Sequence, residues 1–535
     1  MPSQEEPPAQ PAGERTADGS TSSVSPPPRA HKPIPTLETG ITGLDDVLNG
    51  GWPERRLYLV EGAPGAGKTT LALQYLLEGR DRGEAVVYVT ISETRQELDE
   101  VAESHGWTLD GVTTLDTTDA TDAAGPETQY TVFHPSEIEL QNTIQAVVDT
   151  VERVNPTRVV LDSLSDMRLL ARDPLRFRRQ ILALKQFFAQ RHITALLLDD
   201  QTADLPDMQL QSLVHGVLRL EHIAIAHGAE RRQLRVTKLR GVRFHAGYHD
   251  YVIRTGGLEV FPRIRIGRPG RTVPRAELCS GSPELDALVG GGIPAGTSVL
   301  LTGAPGTGKS VLSTQYIVAA AAAGQRVAAY LFDERLGTFR QRAAALGLPL
   351  EDALASGNVQ LTPLEPTEIS PGEFAHRIIT AVADGASVIV IDSLNGFTQA
   401  MAQERQVTLK IHELLSYLGS RGVTTLVTLA QRGIFGSATD SETDVSYLAD
   451  AVLLMRYFEA QGEVRRAISV LKQRTGNHER TIREFKLGHG GLRLGEPLRE
   501  FHGVLTGVPS FIGARGELLE SGGFVVPEAI VARDA

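Results

Sequence analysis

The sequence predicts an α/β protein with two tandem domains, each built on a doubly wound, mostly parallel β-sheet. Three observations support this fold class. The phosphate-loop pattern G-x-x-x-x-G-K-[ST] occurs twice, several sequence blocks recur in one order, and short β-rich runs alternate with helical patterns. Because ligands of such sheets bind at the carboxyl ends of the strands, functional residues are expected where apolar runs end.

Each loop motif lies between an apolar run and a helical pattern, as a phosphate-binding loop requires. Residues 57–60 lead into the first loop and residues 298–301 into the second. Glycines let the backbone amides wrap a phosphate, and the following helix N-terminus favours negative charge. The residues predicted to bind nucleotide are Gly62, Ala63, Pro64, Gly65, Ala66, Gly67, Lys68, Thr69, Thr70, Gly303, Ala304, Pro305, Gly306, Thr307, Gly308, Lys309, Ser310 and Val311.

The loops and the later strand ends predict ATP and Mg²⁺ as cofactors. Lys68 and Lys309 are expected to reach the β- and γ-phosphates. A loop hydroxyl and a Walker-B aspartate at a strand end are expected to hold the metal. Gln201 and Gln431 end the next apolar strand, where they could sense the γ-phosphate or position water; the alternative is a polar strand end without such a role. The predicted magnesium ligands are Thr69, Asp162, Ser310 and Asp392.

A glutamate ends the strand that follows each loop helix, and from there it could polarise an attacking water. These residues are Glu93 and Glu334; Asp333 precedes the second, whereas Ser92 takes that place in the first copy. Two adjacent carboxylates raise each other's proton affinity and so sharpen a general base. We therefore expect the two copies to hydrolyse ATP at different rates. The alternative is that both glutamates are solvated residues of the protein surface.

A basic pair follows in each copy, Lys238 with Arg240 and Lys472 with Arg474, on late strand-like segments. Residues two apart on a strand face the same side. Such a pair could act on a neighbouring subunit's phosphate as an arginine finger, which neutralises charge that develops in the transition state. A finger supplied in trans requires a ring with ATP at the subunit interfaces; a solvated, salt-bridged strand face is the alternative.

The chain is a tandem duplication, because matching blocks keep their order with small changes in spacing. Residues 280–294 echo residues 39–53 at an offset of 241 (294 − 53), which the two loops share, and Asp392 follows Asp162 by 230 positions (392 − 162). The length differences therefore fall in loops. The predicted organisation is a disordered segment at residues 1–35, domains at 36–262 and 278–505, a linker at 263–277 and a flexible tail at 506–535.

Composition limits the remaining function classes. No stretch approaches about 18 consecutive apolar residues, and the polar, Pro-rich N-terminus lacks a signal pattern, so no membrane association is expected. A single cysteine, Cys279, cannot form an internal disulfide and indicates a reducing cytoplasm. The net charge of −12 disfavours nucleic-acid binding over the whole surface, although a local basic stripe stays open.

Together these features resemble the KaiC family of circadian clock ATPases and the wider group of RecA-like proteins. The resemblance covers about residues 36–505, and its most specific pieces are residues 39–51, 238–241 and 465–472. It implies two tandem RecA-like P-loop domains and a two-tiered homohexamer with ATP between protomers. It also implies slow ATP hydrolysis in the first tier, with autokinase and autophosphatase activity in the second.

Some family motifs are changed in this chain. The family's paired catalytic glutamates fall on residues 92–93 and 333–334, and only the second residue of each pair matches. Its adjacent serine and threonine phosphorylation sites fall on Ser446 and Tyr447, and Ser441 falls where the family has a further threonine. We therefore expect single-site phosphorylation at Ser446, and a signalling role outside a core oscillator with KaiB-like or other signalling partners.

Two other functions stay open from the sequence. A DNA-dependent motor of the recombinase or helicase class shares the RecA-like core, although the acidic net charge and the lack of a cysteine zinc module count against it. Alternatively, nucleotide only assembles rings as a scaffold and hydrolysis is incidental. The basic cluster that suits phosphate contacts in a DNA-acting protein comprises Arg231, Arg232, Arg235, Lys238, Arg240 and Arg243.

Overall fold

The computed structural model describes residues 34–117, 135–171, 173–200, 208–224, 230–265, 277–400, 407–431, 447–504 and 510–511. The first half, up to residue 265, has strands β1 (Thr36–Leu37), β2 (Trp52–Pro53), β3 (Leu57–Gly62), β4 (Val86–Thr90), β5 (Thr113–Asp116), β6 (Arg158–Asp162), β7 (Thr194–Asp200), β8 (Gly216–Ile223), β9 (Arg231–Leu239), β10 (His249–Arg254) and β11 (Gly257–Phe261). Its helices are α1 (Leu44–Leu48), α2 (Lys68–Asp81), α3 (Arg95–Ser104), α4 (Pro135–Val154), α5 (Leu164–Ala171), α6 (Pro174–Gln190) and α7 (Met208–Leu213).

The second half, from residue 277, follows the same plan. Its strands are β12 (Ser298–Gly303), β13 (Val327–Leu331), β14 (Val359–Pro363), β15 (Val388–Asp392), β16 (Thr424–Ala430), β17 (Ala451–Ala460), β18 (Glu463–Gln473), β19 (Arg483–Gly488), β20 (Gly491–Pro497), β21 (Phe501–His502) and β22 (Ser510–Phe511). Its helices are α8 (Pro283–Leu288), α9 (Lys309–Ala322), α10 (Leu336–Ala345), α11 (Leu350–Ala355), α12 (Pro371–Ala383), α13 (Leu394–Ala400) and α14 (Val407–Ser420).

Each half contains a nine-stranded sheet, and the two sheets have the same strand order. The orders are β5-β4-β6-β7-β3-β8-β9-β10-β11 and β14-β13-β15-β16-β12-β17-β18-β19-β20. In each order the first six strands pair in parallel, and the last three continue the sheet in antiparallel pairing. The predicted α/β fold of two mostly parallel sheets is confirmed, with an antiparallel extension at one edge of each sheet.

Strand β3 shows why both faces of the first sheet are covered by helices. Tyr58 and Val60 belong to one hydrophobic cluster, with residues of α2, while Leu57 and Leu59 belong to another, with residues of α4 and α6. Successive side chains of a strand point to opposite faces, so an unbroken apolar strand must be buried on both sides. Strand β12 divides its residues between two clusters in the same way.

Local sequence determines where several helices begin. Thr94 accepts a hydrogen bond from the Glu97 amide while the Glu97 carboxylate accepts one from the Thr94 amide, which is a capping box at the start of α3. The side chains of Asp173 and Ser370 cap α6 and α12, and a proline follows each of them at the first helical position. None of the helices in the described ranges is long and apolar enough to cross a membrane.

Polar contacts join the two halves. The Arg254 guanidinium lies 2.7 Å from the carboxylate of Glu373, which also pairs with Arg377 and is almost completely buried. The Gly372 amide donates to the Asp250 carboxylate at 2.7 Å. These contacts connect β10 of the first half with α12 of the second, so the two halves pack against each other.

Candidate nucleotide-binding sites

In each half the glycine-rich loop connects the central strand of the sheet with the helix that follows. The residues before α2 and α9, Gly67 and Gly308, have φ values of 92° and 111°, which strain any residue with a side chain. Among the described residues, no side chain caps either helix. The first-turn amides are therefore left to bind a phosphate. Close packing adds to the requirement for glycine, because a Cβ on Gly303 would lie 2.0 Å from the Met455 carbonyl oxygen.

The loop lysines are buried and folded back onto their own loops. Lys68 and Lys309 each donate hydrogen bonds to the carbonyl oxygens of the first two loop residues, at distances between 2.8 and 3.1 Å. Burial lowers the pKa of the Lys309 ammonium to about 8. Lys68 differs by forming an ion pair with Asp200, with 2.7 Å between Nζ and Oδ1.

Other loop residues support the loop from within the protein. The Ala66 carbonyl accepts a 2.6 Å hydrogen bond from the Tyr251 hydroxyl. The Thr307 hydroxyl donates to the Ala304 carbonyl at 2.9 Å. Thr70 and Val311, which follow the loop on the helices, are buried.

The predicted metal ligands of the first half lie together. The Thr69 hydroxyl is 3.4 Å from Oδ2 of Asp162, and the Tyr88 hydroxyl donates to the same oxygen at 2.6 Å. Burial raises the pKa of Asp162 above its ordinary value, with the hydrogen bond from Tyr88 acting in the opposite direction. A hydroxyl beside a buried carboxylate at the mouth of a phosphate loop is a donor set that suits Mg²⁺.

In the second half, Asp392 occupies the matching strand end and Ser310 is the second residue of α9. Oδ1 of Asp392 accepts a hydrogen bond from Thr428, whereas Oδ2 is buried and has no hydrogen-bond partner among the described residues. An unpartnered buried carboxylate oxygen is costly, and a cation would satisfy it. The site therefore fits Mg²⁺. Both aspartates precede a cis peptide bond.

Glu93 lies in the negatively charged environment of the first site. Its Oε2 is buried without a hydrogen-bond partner among the described residues. Burial raises the pKa of Glu93, and the charges of Asp162 and Asp200 raise it further, while Lys68 lowers it. A carboxylate with a raised pKa and an unpaired oxygen is suited to accept a proton.

The two acidic residues predicted in the second site have separate partners. Asp333 accepts a hydrogen bond from the Ser393 hydroxyl, and both carboxylate oxygens of Glu334 accept from Nη1 of Arg342. The two carboxylates, although adjacent in sequence, therefore do not share a hydrogen-bond partner. Instead, an arginine neutralises the candidate base.

The basic pairs divide into anchored lysines and exposed arginines. Lys238 donates to two carbonyl oxygens of its own half, at 2.6 and 2.8 Å, and Lys472 donates to one at 2.7 Å. Arg240 and Arg474 lie one residue beyond β9 and β18 and are exposed. Each arginine also donates within its own half, Arg240 to the Ser212 carbonyl at 3.3 Å and Arg474 to the Tyr447 carbonyl at 3.1 Å, but it is the more exposed member of its pair.

The basic cluster on and after β9 is largely engaged in contacts within the chain. Arg231 is buried and donates to the Ile369 carbonyl of the second half at 2.6 Å. Arg232 pairs with Glu230 at 3.0 Å. The cluster therefore presents less free positive charge than its sequence suggests.

Several predicted positions fall outside the described residues: Gln201, Ser441 and Ser446, together with most of the predicted termini and linker. Gln431 is described, and its main-chain N–H donates to the Gly303 carbonyl at the start of the second loop.

Sequence reasoning missed three residues that contact the predicted groups. Asp200 pairs with the first loop lysine, Arg342 pairs with Glu334, and Tyr88 bonds Asp162. A signal for the first two was present in the duplication, because the aligned positions hold Ala430 and Val101. A charge present in only one copy marks a place where the two sites differ.

Comparison with known proteins agrees with this geometry. The sequence model of the family described as "ATPase: KaiC" matches residues 37–265 and 278–499. The chain is 27% identical over 488 residues to the circadian clock protein KaiC3 of Synechocystis sp., covering 89% of this chain and 95% of that protein. It is 26% identical over 492 residues to the circadian clock oscillator protein KaiC of Synechococcus elongatus, covering 90% and 93%.

The family match covers most of both halves, and each half contains the complete phosphate loop in the same sheet topology. The chain therefore belongs to the KaiC family and carries two tandem KaiC ATPase domains.

Proposed function

We propose that this protein binds Mg·ATP in both halves and hydrolyses it as a ring of subunits, with most turnover in the first half. One observation carries the proposal. In each half a phosphate loop with its lysine, a metal-site aspartate and a strand-end glutamate all follow the carboxyl ends of parallel strands in one sheet. This is the arrangement that phosphoryl transfer from a nucleotide requires.

The chemistry follows from the residues of the first site. The loop amides and Lys68 would bind the phosphates, and Thr69 and Asp162 would hold Mg²⁺, which when bound neutralises phosphate charge. Glu93 would accept a proton from the water that attacks the γ-phosphorus. The new P–O bond forms as the bond to the β-phosphate oxygen breaks, and ADP leaves.

The two glutamates support unequal turnover. Glu93 has an unpaired buried oxygen and a raised pKa, whereas Glu334 is bound on both oxygens by Arg342. Because hydrogen bonds from Arg342 occupy both oxygens of Glu334, neither oxygen is free to bind an attacking water. We therefore infer that the second site hydrolyses ATP slowly.

Phosphate release by the full-length protein with Mg·ATP tests the assignment. Lys309→Ala should keep most of the activity, Lys68→Ala should lose most of it, and the double variant should lose about all of it. Thermal unfolding of each variant serves as the control for folding. Unchanged release in the double variant would refute an ATPase centred on these loops.

The proposed ring would bring the exposed Arg240 and Arg474 to the phosphates of a neighbouring subunit. Light scattering after size exclusion, with and without a non-hydrolysable ATP analogue, should show assembly with nucleotide. A monomer under both conditions would contradict the ring and the trans-acting arginines. Ring assembly without turnover would instead identify a nucleotide-assembled scaffold.

The proposal includes single-site autophosphorylation at Ser446, by transfer of the γ-phosphoryl group from ATP to the serine hydroxyl with loss of its proton. Intact-mass measurement after incubation with Mg·ATP should show one added phosphate, which Ser446→Ala removes. No added mass would leave an ATPase only.

The biological role we propose is signalling or clock-like regulation, because relatives of similar length are described as circadian clock proteins. In that role we propose that the protein binds a KaiB-like partner. Its binding should depend on the nucleotide present and should be lost in the Lys68→Ala, Lys309→Ala double variant; binding that is independent of nucleotide would contradict this role.

A further inference from the structure

Asp200 occupies in the first half the position that Ala430 occupies in the second. Asp200 is the last residue of β7, Ala430 is the last residue of β16, and they are 230 positions apart (430 − 200). Each pairs in parallel with the first glycine of its own loop, Gly62 or Gly303. The two residues are therefore structural equivalents beside equivalent phosphate loops.

The main chain at these two positions is held in the same way. The Asp200 amide donates to the hydroxyl of Ser165 at 3.0 Å, and the Ala430 amide donates to Oδ1 of Asn395 at 2.6 Å. Ser165 and Asn395 are themselves 230 positions apart (395 − 165). Because the backbone is fixed alike in both halves, the carboxylate of Asp200 is the local difference to be explained.

That carboxylate binds the group on which the nucleotide site depends. It lies 2.7 Å from the Lys68 ammonium, whose side chain is 8% exposed while that of Asp200 is 31% exposed. Among the described residues, no carboxylate forms an ion pair with Lys309. A triphosphate that enters the loop must bind the Lys68 ammonium, which Asp200 already pairs with. Because the Asp200 side chain is partly exposed, it can move away from the lysine when the triphosphate binds.

We propose that Asp200 sets the nucleotide affinity of the first half, by competing with the terminal phosphates for Lys68. This inference rests on the proposed function of the site. Glu93 and Asp162 interact electrostatically with Asp200, so the triphosphate must enter a region that is already negatively charged. The first half should therefore bind ATP more weakly than the second and exchange it more readily.

Calorimetric titration of the full-length protein with a non-hydrolysable ATP analogue, at fixed Mg²⁺, tests this directly. In a Lys309→Ala background, which isolates the first loop, Asp200→Ala and Asp200→Asn should both tighten binding about threefold to tenfold. The control is Asp81→Ala, which removes one negative charge at the far end of α2, where the side chain is 65% exposed. It should change the dissociation constant less than twofold.

The reciprocal change is Ala430→Asp in a Lys68→Ala background, which should weaken binding to the second loop by a similar factor. Equal or weaker binding by Asp200→Ala would overturn the inference and identify Asp200 as a ligand of the bound metal or nucleotide. Tightening by alanine but not by asparagine would also overturn it, since the effect would be one of size and not of charge. No binding in either single-lysine background would refute the proposed function itself, a result distinct from these.

Discussion

Arg342 donates from one guanidinium nitrogen to both carboxylate oxygens of Glu334. In the first half the residue equivalent to Arg342 is Val101. The offset of 241 (342 − 101) is the one that relates the two loops. Val101 packs against the hydrophobic core of the first half. The same helix position therefore contributes packing in one half and a charge at the candidate base in the other.

Replacing Arg342 with valine should activate the second site. In a Lys68→Ala background, phosphate release should rise about threefold to tenfold, because both oxygens of Glu334 lose the arginine and can bind the attacking water. The matched control is Arg340→Val on the same helix, which breaks an exposed pair with Glu351 and should leave the rate unchanged. A fall in rate for Arg342→Val would show that the arginine positions the glutamate productively.

Hydrolysis by the first half should depend on the protonation of Glu93. Burial raises the pKa of Glu93 above the ordinary 4.5. As the pH falls, a Lys309→Ala enzyme should therefore lose activity at a higher pH than it would if this glutamate were exposed to solvent. The sign follows because only the deprotonated form accepts a proton from water. Glu93→Gln should remove most of the activity at every pH. An acid limb that survives in this variant would belong to another group.

Arg158 should be among the most important polar side chains for the stability of the first half. It is fully buried, and it contacts the Glu84 carboxylate at 2.7 Å and the carbonyl oxygens of Glu38 and Tyr75 at 2.8 and 2.9 Å. Arg158→Met should lower the free energy of unfolding in urea by about 3 kcal/mol, since it leaves these acceptors unpaired. Arg340→Met, at an exposed pair, should cost under about 0.5 kcal/mol. Equal effects would contradict this reading.

Glu373 should hold the two halves together. It is nearly fully buried between Arg254 of the first half and Arg377 of its own helix. Glu373→Ala removes the carboxylate that bonds Arg377 and leaves Arg254 only its 3.5 Å pair with Glu259, so limited proteolysis should cut within residues 263–277 faster than in the parent protein. Glu351→Ala, which removes an exposed glutamate from the same half, is the control. Unchanged cleavage in Glu373→Ala would mean that the other contacts, including those of Asp250 and Arg231, hold the halves together without it.

Much of the fold was accessible from local pattern. The helix expected after the first phosphate loop is observed at Lys68–Asp81, because a glycine start and an apolar sequence define it locally. The antiparallel edge formed by β9, β10 and β11 was not specified, since hairpin pairing at a sheet edge depends on partners distant in sequence. The separate partners of Asp333 and Glu334 were not visible in the sequence either, because Ser393 and Arg342 reach them only in the folded chain.

The sequence by itself determined the fold class, the duplication, and the loops and strand ends that hold the chemistry. These follow from the spacing of residues that are close in the sequence, and this spacing does not depend on tertiary contacts. Only the tertiary structure decided that Asp200 meets Lys68, 132 positions away (200 − 68), and that Arg342 meets Glu334. The physical reason is that electrostatic energy depends on distance and burial in space, neither of which a linear spacing encodes.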